Sequence, residues 1–272
     1  MKFFDVNAWI GSWPFRTLRD NTPAPLLARL ERAGITHAAV SSVEAVFQRH
    51  LQPANEKLAA DLEGFTGRLV PLATLNPRYP HWEDDLRRCH EELGMKGVRL
   101  FPSYHDYAAD GTQAVRAVAA CAERGLPVFV PARLEDSRQR HWMDPGLDLD
   151  LARVAELIAR TPGSTVAVTN ARGLAGSPLW GRPDLRERDW YFDLSLAEIH
   201  YGLHMRPGRI RDLADMLDEG GAGHLLFGTH APFSYPTAAR VKAATLPVDP
   251  ETLKEICWGR AARLLGTGDN GP

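Results

Sequence analysis

The sequence predicts one (β/α)8 barrel, and three observations carry that prediction. Eight short runs rich in Val, Leu, Phe and Ala recur along the 272 residues. Amphipathic stretches with a 3.6-residue period lie between them. No linker-like or low-complexity segment divides the chain. Eight strand–helix units in about 250 residues suit the length of such a barrel. A single domain is expected over residues 1–265, and the closing GTGDNGP at 266–272 is expected to be a disordered tail.

The first four strands are expected at residues 3–10 (FFDVNAWI), 37–43 (HAAVSSV), 69–75 (LVPLATL) and 96–102 (KGVRLFP). The other four are expected at 126–132 (LPVFVPA), 164–171 (STVAVTNA), 190–197 (WYFDLSLA) and 224–232 (HLLFGTHAP). Their near-continuous apolar character fits parallel strands covered on both faces. PAPLLARLERAG, WEDDLRRCHEEL and TQAVRAVAACAERG have helical spacing, and ETLKEICWGRAARLLG is the helix expected to close the barrel. Thr22 before Pro23 and Asp249 before Pro250 are N-cap residue types with proline at the first helical position. Gly34, Gly94 and Gly125 are expected to stop helices just ahead of the next strand. A doubly wound open sheet is disfavoured, because no GxGxxG or GxxxxGK[ST] follows the first strand. The stretch from Arg133 to about Leu147 exceeds ordinary connections and is expected to be functional, as a lid.

Composition removes several classes of function. With 32 basic and 34 acidic side chains the net charge is -2, so the basic footprint of a nucleic-acid binder is missing. No apolar run approaches the roughly 18 residues of a spanning helix, so no membrane partner is expected. Cys89, Cys121 and Cys257 are far apart and in no CxxC or Cys/His spacing, which argues against disulfides and structural zinc and for a cytoplasmic protein. Of the 32 basic residues five are lysine, leaving 27 arginines. Most sit on expected helices, Arg29 among them, but a few fall where they could grip a carboxylate or phosphate.

In a barrel of this kind the chemistry lies at the carboxyl ends of the strands. Those positions hold Asn7 and Trp9 on strand 1, Ser42 and Glu44 on strand 2, Asn76 and Arg78 on strand 3, and Arg99 with Tyr104, His105 and Asp106 on strand 4. Strand 5 adds Arg133, Glu135 and Asp136, with Arg138, His141 and Trp142 further along its loop. Strand 6 ends in Asn170 and Arg172, strand 7 in Asp193 and Ser195, and strand 8 in Thr229 and His230. Trp13-Pro14-Phe15-Arg16 is either a wall of the pocket or a plug over the rim, and His200 and His204 are outside candidates.

FFDVNAWIG resembles the Asp-x-His-x-His-x-Gly signature that begins strand 1 in the amidohydrolase superfamily. GTHAPF resembles its strand-8 Gly-[Ser/Thr]-Asp-x-Pro-[Phe/His], and CWGRAARLLG its terminal Gly-Asn-Ala-x-x-Leu helix. The likeness, to the amidohydrolase-2 branch of TIM-barrel metal-dependent hydrolases, covers nearly the whole chain. It implies a barrel enzyme whose strand ends hold a divalent metal. The ligand positions nevertheless depart from the pattern. The two strand-1 histidines are Asn7 and Trp9, strand 5 offers Pro131-Ala132-Arg133, strand 6 has Asn170, and the strand-8 aspartate is His230. An amide is one weak neutral ligand and an indole is none.

Three readings follow. Relatives in this branch include decarboxylases, hydratases and metal-independent lactonases, so the resemblance permits chemistry without a metal. The preferred expectation is a hydrolase or lyase acting on a small carboxylated, anionic substrate without the usual metal centre. His230 would exchange protons, with His105 or His141 as the second carrier. Arg99, Arg133 and Arg172 would hold the carboxylate, Asn170 would orient it, and Asn7, Trp9, Arg16 and Glu135 would complete the site. In the second reading zinc returns through His105, Glu135, His141 and His230. In the third, the barrel binds a ligand without turnover. The resemblance also leaves a homodimer open, since dimers are common in the family.

Overall fold

Parallel strands pair in chain order around the barrel. They are β1 (Phe4–Ile10), β2 (His37–Ser42), β3 (Leu69–Pro71), β4 (Ala73–Leu75), β5 (Val98–Leu100), β6 (Val128–Pro131), β7 (Val166–Thr169), β8 (Trp190–Asp193) and β9 (Leu225–Leu226). The computed structural model describes residues 1–136, 138–196 and 212–267, so His200, His204 and the expected tail beyond Thr267 lie outside the described residues. All eight apolar runs form strands. The third is interrupted at Leu72, which is why it yields β3 beside β2 and β4 beside β5. Backbone bonds from Leu72 N to Val40 O (2.9 Å) and from Ala73 N to Gly97 O (2.9 Å) carry the wall across the break. The ring closes where Val6 N donates to Phe227 O (3.0 Å) and Trp9 N to Ala231 O (2.8 Å).

Helices α1 (Pro23–Arg32), α2 (Gln52–Asp61), α3 (Trp82–Arg87), α4 (Thr112–Ala122), α5 (Leu151–Arg160) and the short α6 (Pro178–Gly181) fill the connections in turn. α7 (Asp212–Asp218) precedes β9, and α8 (Pro236–Ala244), α9 (Pro250–Lys254) and α10 (Arg260–Leu264) follow it. Asp249 caps α9 by accepting from the backbone N–H groups of Glu251 and Thr252, whereas Thr22 occupies its cap position without a side-chain bond. Gly34, Gly94 and Gly125 stop helices in the left-handed region, where a side chain would be strained. Among the described residues, no helix is long and apolar enough to cross a membrane.

The barrel interior has three layers along its axis. Phe4, Val6, Ala39, Val70, Leu72, Phe129, Ala167 and Leu226 form an apolar floor, closed from below by Ala261, Ala262 and Leu265 around α10. A polar layer follows, containing Asp5, Asn7, Ser41, Arg99, Thr169, Asn170, Asp193 and His230, all buried. Trp9, Trp13, Leu18, Val43, Val46, Phe101, Leu134 and Phe233 form a roof, with Phe15 and Tyr104 packed against it.

An irregularity in β1 makes this layering possible. Its pairing with β2 shifts between Asp5 and Ala8. Phe4 and Val6 join the floor inside the barrel, yet Ala8 and Ile10 pack outward and Trp9 joins the roof. One displaced residue reverses which side chains face inward. Asn7 and Trp9 thereby enter the barrel directly above Val6.

Candidate active site

The polar layer is one hydrogen-bonded network. The Asn7 side-chain oxygen accepts from Trp9 Nε1 (3.0 Å) and Arg99 Nη1 (3.2 Å). Its nitrogen donates to Asn170 Oδ1 (2.7 Å), Asp193 Oδ2 (2.9 Å) and Ser195 Oγ (3.2 Å). Asn170 Oδ1 also accepts from Ser195 Oγ (2.7 Å), and Asn170 Nδ2 donates to Arg133 O (2.8 Å). Asp193 Oδ1 takes the backbone N–H of Asn170 (2.8 Å). Asn170 and His230 both sit at positive φ, 58° and 59°, a backbone strain that clusters at functional positions and is tolerated better by asparagine than by histidine.

His230 is clamped on both ring nitrogens. Nε2 lies 2.6 Å from Leu134 O, an acceptor, so Nε2 carries the proton. Nδ1 is then the acceptor for Trp9 Nε1 (3.1 Å) and Asn170 Nδ2 (3.2 Å). The ring stacks on Phe233 with centroids 4.7 Å apart. Burial, with Arg99, Arg16 and Arg133 nearby, pushes its pKa down to about 3, so the imidazole is neutral. The Nε2 proton is committed to Leu134 O and the Nδ1 lone pair to Trp9 and Asn170, and the ring is buried. The expected role as proton carrier therefore gives way to a positioning role.

Arg99 is also corrected. It is fully buried below the mouth, donating to Ser41 Oγ (2.8 Å), Asn7 Oδ1, Thr169 Oγ1 (3.4 Å) and Val6 O (3.4 Å), with its guanidinium 4.2 Å from the Trp9 ring. It is not available to a substrate. Asp193 and Asp5 are the carboxylates whose charges favour its cationic form, although burial lowers its pKa to about 9. Asp5 accepts from Thr229 N (2.9 Å), Thr229 Oγ1 and Asn7 N (2.9 Å), and burial raises its pKa to about 6.

The remaining expected site residues spread around the rim. Glu135 is buried, and its Oε1 is held by Arg16 Nε (2.6 Å), whose Nη2 reaches Phe233 O (3.2 Å). His141 stacks on Phe15 (5.3 Å), and its Nδ1 accepts from Met143 N (3.2 Å). His105 is buried against Phe101, and desolvation takes its pKa down to about 4. Arg133 is buried, with its carbonyl on Asn170, while Arg172 lies half-exposed beside Asp148 (3.6 Å). Trp13 belongs to the roof with Phe15 packed against it, while Arg16 lines a cavity, so the Trp13–Arg16 segment does both. Trp142 is 86% exposed, with its ring 5.8 Å from that of His141.

The connection after β6 packs against the roof, where His141 stacks on Phe15 and Tyr104 Oη donates to Asp144 Oδ2 (3.2 Å). Leu149 N bonds Ala132 O (2.7 Å), which brings its two ends together. Arg140 pins its interior by donating to Gly146 O, Glu135 O and Asp148.

His105, Glu135, His141 and His230 do not converge. Among the described residues, no group of three or more His, Cys, Asp or Glu side chains is placed to hold a metal ion. The positions that resemble the family's ligand pattern fare no better. Their amide and imidazole atoms are spent on one another, the indole offers no lone pair, and a guanidinium stands 3.2 Å from Asn7 Oδ1. This donor set does not fit a divalent cation.

An open cavity of about 650 Å3 lies beside the network, between the β1 and β9 connections. Ser195 and Thr229 lie in its lining, and Arg16, Arg19, Arg29, Arg138 and Lys242 line it together with Asp136. Arg29 has the spacing of a solvated helix residue, yet it donates to Ser234 O (3.1 Å), pairs with Asp20 (3.3 Å) and lies 5.4 Å from the Tyr235 ring. Its place on α1 opposite the β9 connection exists only in the assembled barrel. Gly228 is what lets β9 approach Asp193, since a Cβ there would meet Asp193 Oδ2 at 2.3 Å. Gly228→Ala is expected to cost about 1–3 kcal/mol through this overlap. An unchanged urea midpoint would show that Asp193 can move aside.

A family model described as Amidohydrolase matches residues 5–267. No curated protein matches the sequence significantly. Solved structures do. The 2,6-dihydroxybenzoate decarboxylase from Rhizobium is 18% identical with a TM-score of 0.67, covering 98% of this chain and 98% of its own. A dihydroxybenzoic acid decarboxylase from Polaromonas sp. JS666, with bound manganese and the inhibitor 2-nitroresorcinol, is 18% identical (TM-score 0.67, 97% of each chain). A candidate 2-pyrone-4,6-dicarboxylic acid hydrolase from Acinetobacter baumannii with citric acid bound is 14% identical (TM-score 0.65, 98% of this chain and 100% of that one). At such identities the structural likeness establishes the (β/α)8 barrel, and the family model spans nearly every residue of it. The chain belongs to the amidohydrolase family.

Proposed function

We propose that the protein is a hydrolase or lyase acting on a small carboxylated substrate bound in the cavity beside the barrel axis, with no step routed through a metal ion. One observation carries this reading: five cationic side chains line a single cavity on the carboxyl-end face of the barrel, against one lining carboxylate. Three of the five are paired, Arg16 with Glu135, Arg29 with Asp20 and Arg138 with Asp136, which reduces the excess. Guanidinium groups suit carboxylates because their paired N–H donors match the two oxygens. The decarboxylases and the hydrolase candidate named above support the substrate class by their own ligands and names. Three buried thiols, Cys89, Cys121 and Cys257, suit the reducing, cytoplasmic compartment we place it in.

In this reading Arg29 and Arg138 hold the carboxylate. Ser195 and Thr229 meet the reacting part of the molecule where the cavity touches the buried network. His230 and Asn170 act from behind, by fixing Ser195 and the β9 turn. A second reading, a binder without turnover, is favoured by the clamped state of His230.

Calorimetric titration with aromatic mono- and dicarboxylates tests both. Binding is expected, and Arg29→Ala and Arg138→Ala are each expected to weaken it by about tenfold or more, the loss of one charge-assisted contact. Chromatography of the same mixtures then separates the readings, since a hydrolase or lyase consumes its ligand and a binder returns it. Undiminished binding in both variants would remove the cavity from consideration.

A further inference from the structure

The network at the barrel centre satisfies itself completely. The side-chain N and O atoms of Asn7, Trp9, Asn170 and His230 all find partners within the protein. Those bonds join β1, the ends of β6 and β7, and the turn that follows β9. Asn7 is the junction. Its amide faces a guanidinium on one side and a carboxylate on the other, relaying Arg99 to Asp193. The layer thus contains its own cation and its own counter-charge, both fully buried. A metal ion placed among these groups would lie against the Arg99 guanidinium and would have to break the amide and imidazole bonds to gain a ligand.

We infer that the Asn7–Trp9–Asn170–His230 network is a structural keystone of the barrel mouth, tying its strands together by direct hydrogen bonds at the positions that resemble the family's ligand pattern, and that it takes no divalent cation. The inference stands apart from the cavity and its substrate. Its strongest support is the indole. Trp9 Nε1 is a donor only, and it points between Asn7 Oδ1 and His230 Nδ1, two acceptors that also take donors from Arg99 and Asn170. The polar face of the would-be centre is therefore capped from above by an N–H, and the roof of Phe101 and Phe233 packs on the same ring (6.0 and 6.3 Å).

The test uses the full chain purified from medium supplemented with zinc and manganese. Elemental analysis is expected to find less than about one divalent ion per ten chains, with melting temperatures in EDTA, ZnCl2 and MnCl2 agreeing within about 1 °C, because a ligand that binds only the folded state would raise it. Trp9→Phe keeps the ring and removes one donor, and His230→Phe keeps the stack on Phe233 and removes both nitrogens. Each is expected to lower the melting temperature by about 4–8 °C, as expected for lost bonds and stranded buried partners in a chain of this size. The double variant is expected to fall well short of the summed losses, because the two share a bond. Stoichiometric metal that disappears in His230→Phe would overturn the inference. So would a rise of several degrees in ZnCl2 or MnCl2, single variants with unchanged melting temperatures, or strictly additive losses.

Discussion

Arg99→Met is expected to destabilise the protein by about 3–5 kcal/mol, the cost of leaving a buried charge without its partner. Methionine fills much of the volume, so the loss reports charge more than packing. The guanidinium is fully buried, and Asp193 and Asp5 are its nearby carboxylates. It also lies over two aromatic rings, 4.2 Å from Trp9 and 5.6 Å from Phe129, and such contacts strengthen when desolvated. Without it Asn7 Oδ1 keeps only the Trp9 donor, and Asp193 faces the network with no cation behind the amide. The second variant, Asp193→Asn, separates charge from packing. Combined with Arg99→Met it is expected to recover part of the loss, because the stranded carboxylate is gone. Urea unfolding of the four proteins measures the coupling. A cost near 1 kcal/mol with no recovery would mean that Arg99 matters only as a filler of space.

Acid is expected to act on His230 across a wide window. Its folded pKa is lowered to about 3 by burial, against 6.5 for an exposed histidine. Between those values the unfolded chain takes up a proton that the folded protein refuses. Stability from the neutral ring is therefore complete above pH 6.5 and declines as pH falls toward 3, by at most about 1.4 kcal/mol per pH unit. His105, lowered to about 4, acts in the same direction over a narrower range. Asp5 opposes them. Its folded pKa is raised to about 6, so its contribution is complete below 3.8 and is lost as pH rises through 6. Asp193 is shifted the same way as Asp5. The wild-type profile sums these opposing slopes, and the difference between wild type and His230→Gln isolates one of them. From pH 6 to pH 4 the wild type is expected to lose stability relative to the variant at close to the single-proton slope. Parallel profiles would mean that His230 titrates alike in both states.

Much of the barrel was legible in one dimension. Eight apolar runs gave eight strand positions, and Gly34, Gly94, Gly125 and Asp249 ended or began helices as their chemistry requires. Local rules suffice there because turn geometry and capping depend on a few neighbouring atoms. The break at Leu72 was not legible, since it reflects how one strand divides its bonds between two neighbours.

The site divides in the same way. From sequence alone came the strand ends and the substitutions at the family's ligand positions: Asn7, Trp9, Asn170 and His230. The tertiary structure decided what those residues do. A shift of pairing in β1 turned Asn7 inward directly after the inward-facing Val6, which strict alternation forbids, and Trp9 followed Asn7. Arg99, read as a hand for a substrate, became the internal cation of a sealed layer. Arg29, read as a solvated helix residue, came to line the cavity. The reason is physical. Residue type and spacing fix which atoms a side chain can offer, but a hydrogen bond between residues 163 or 221 positions apart exists only once the barrel has closed.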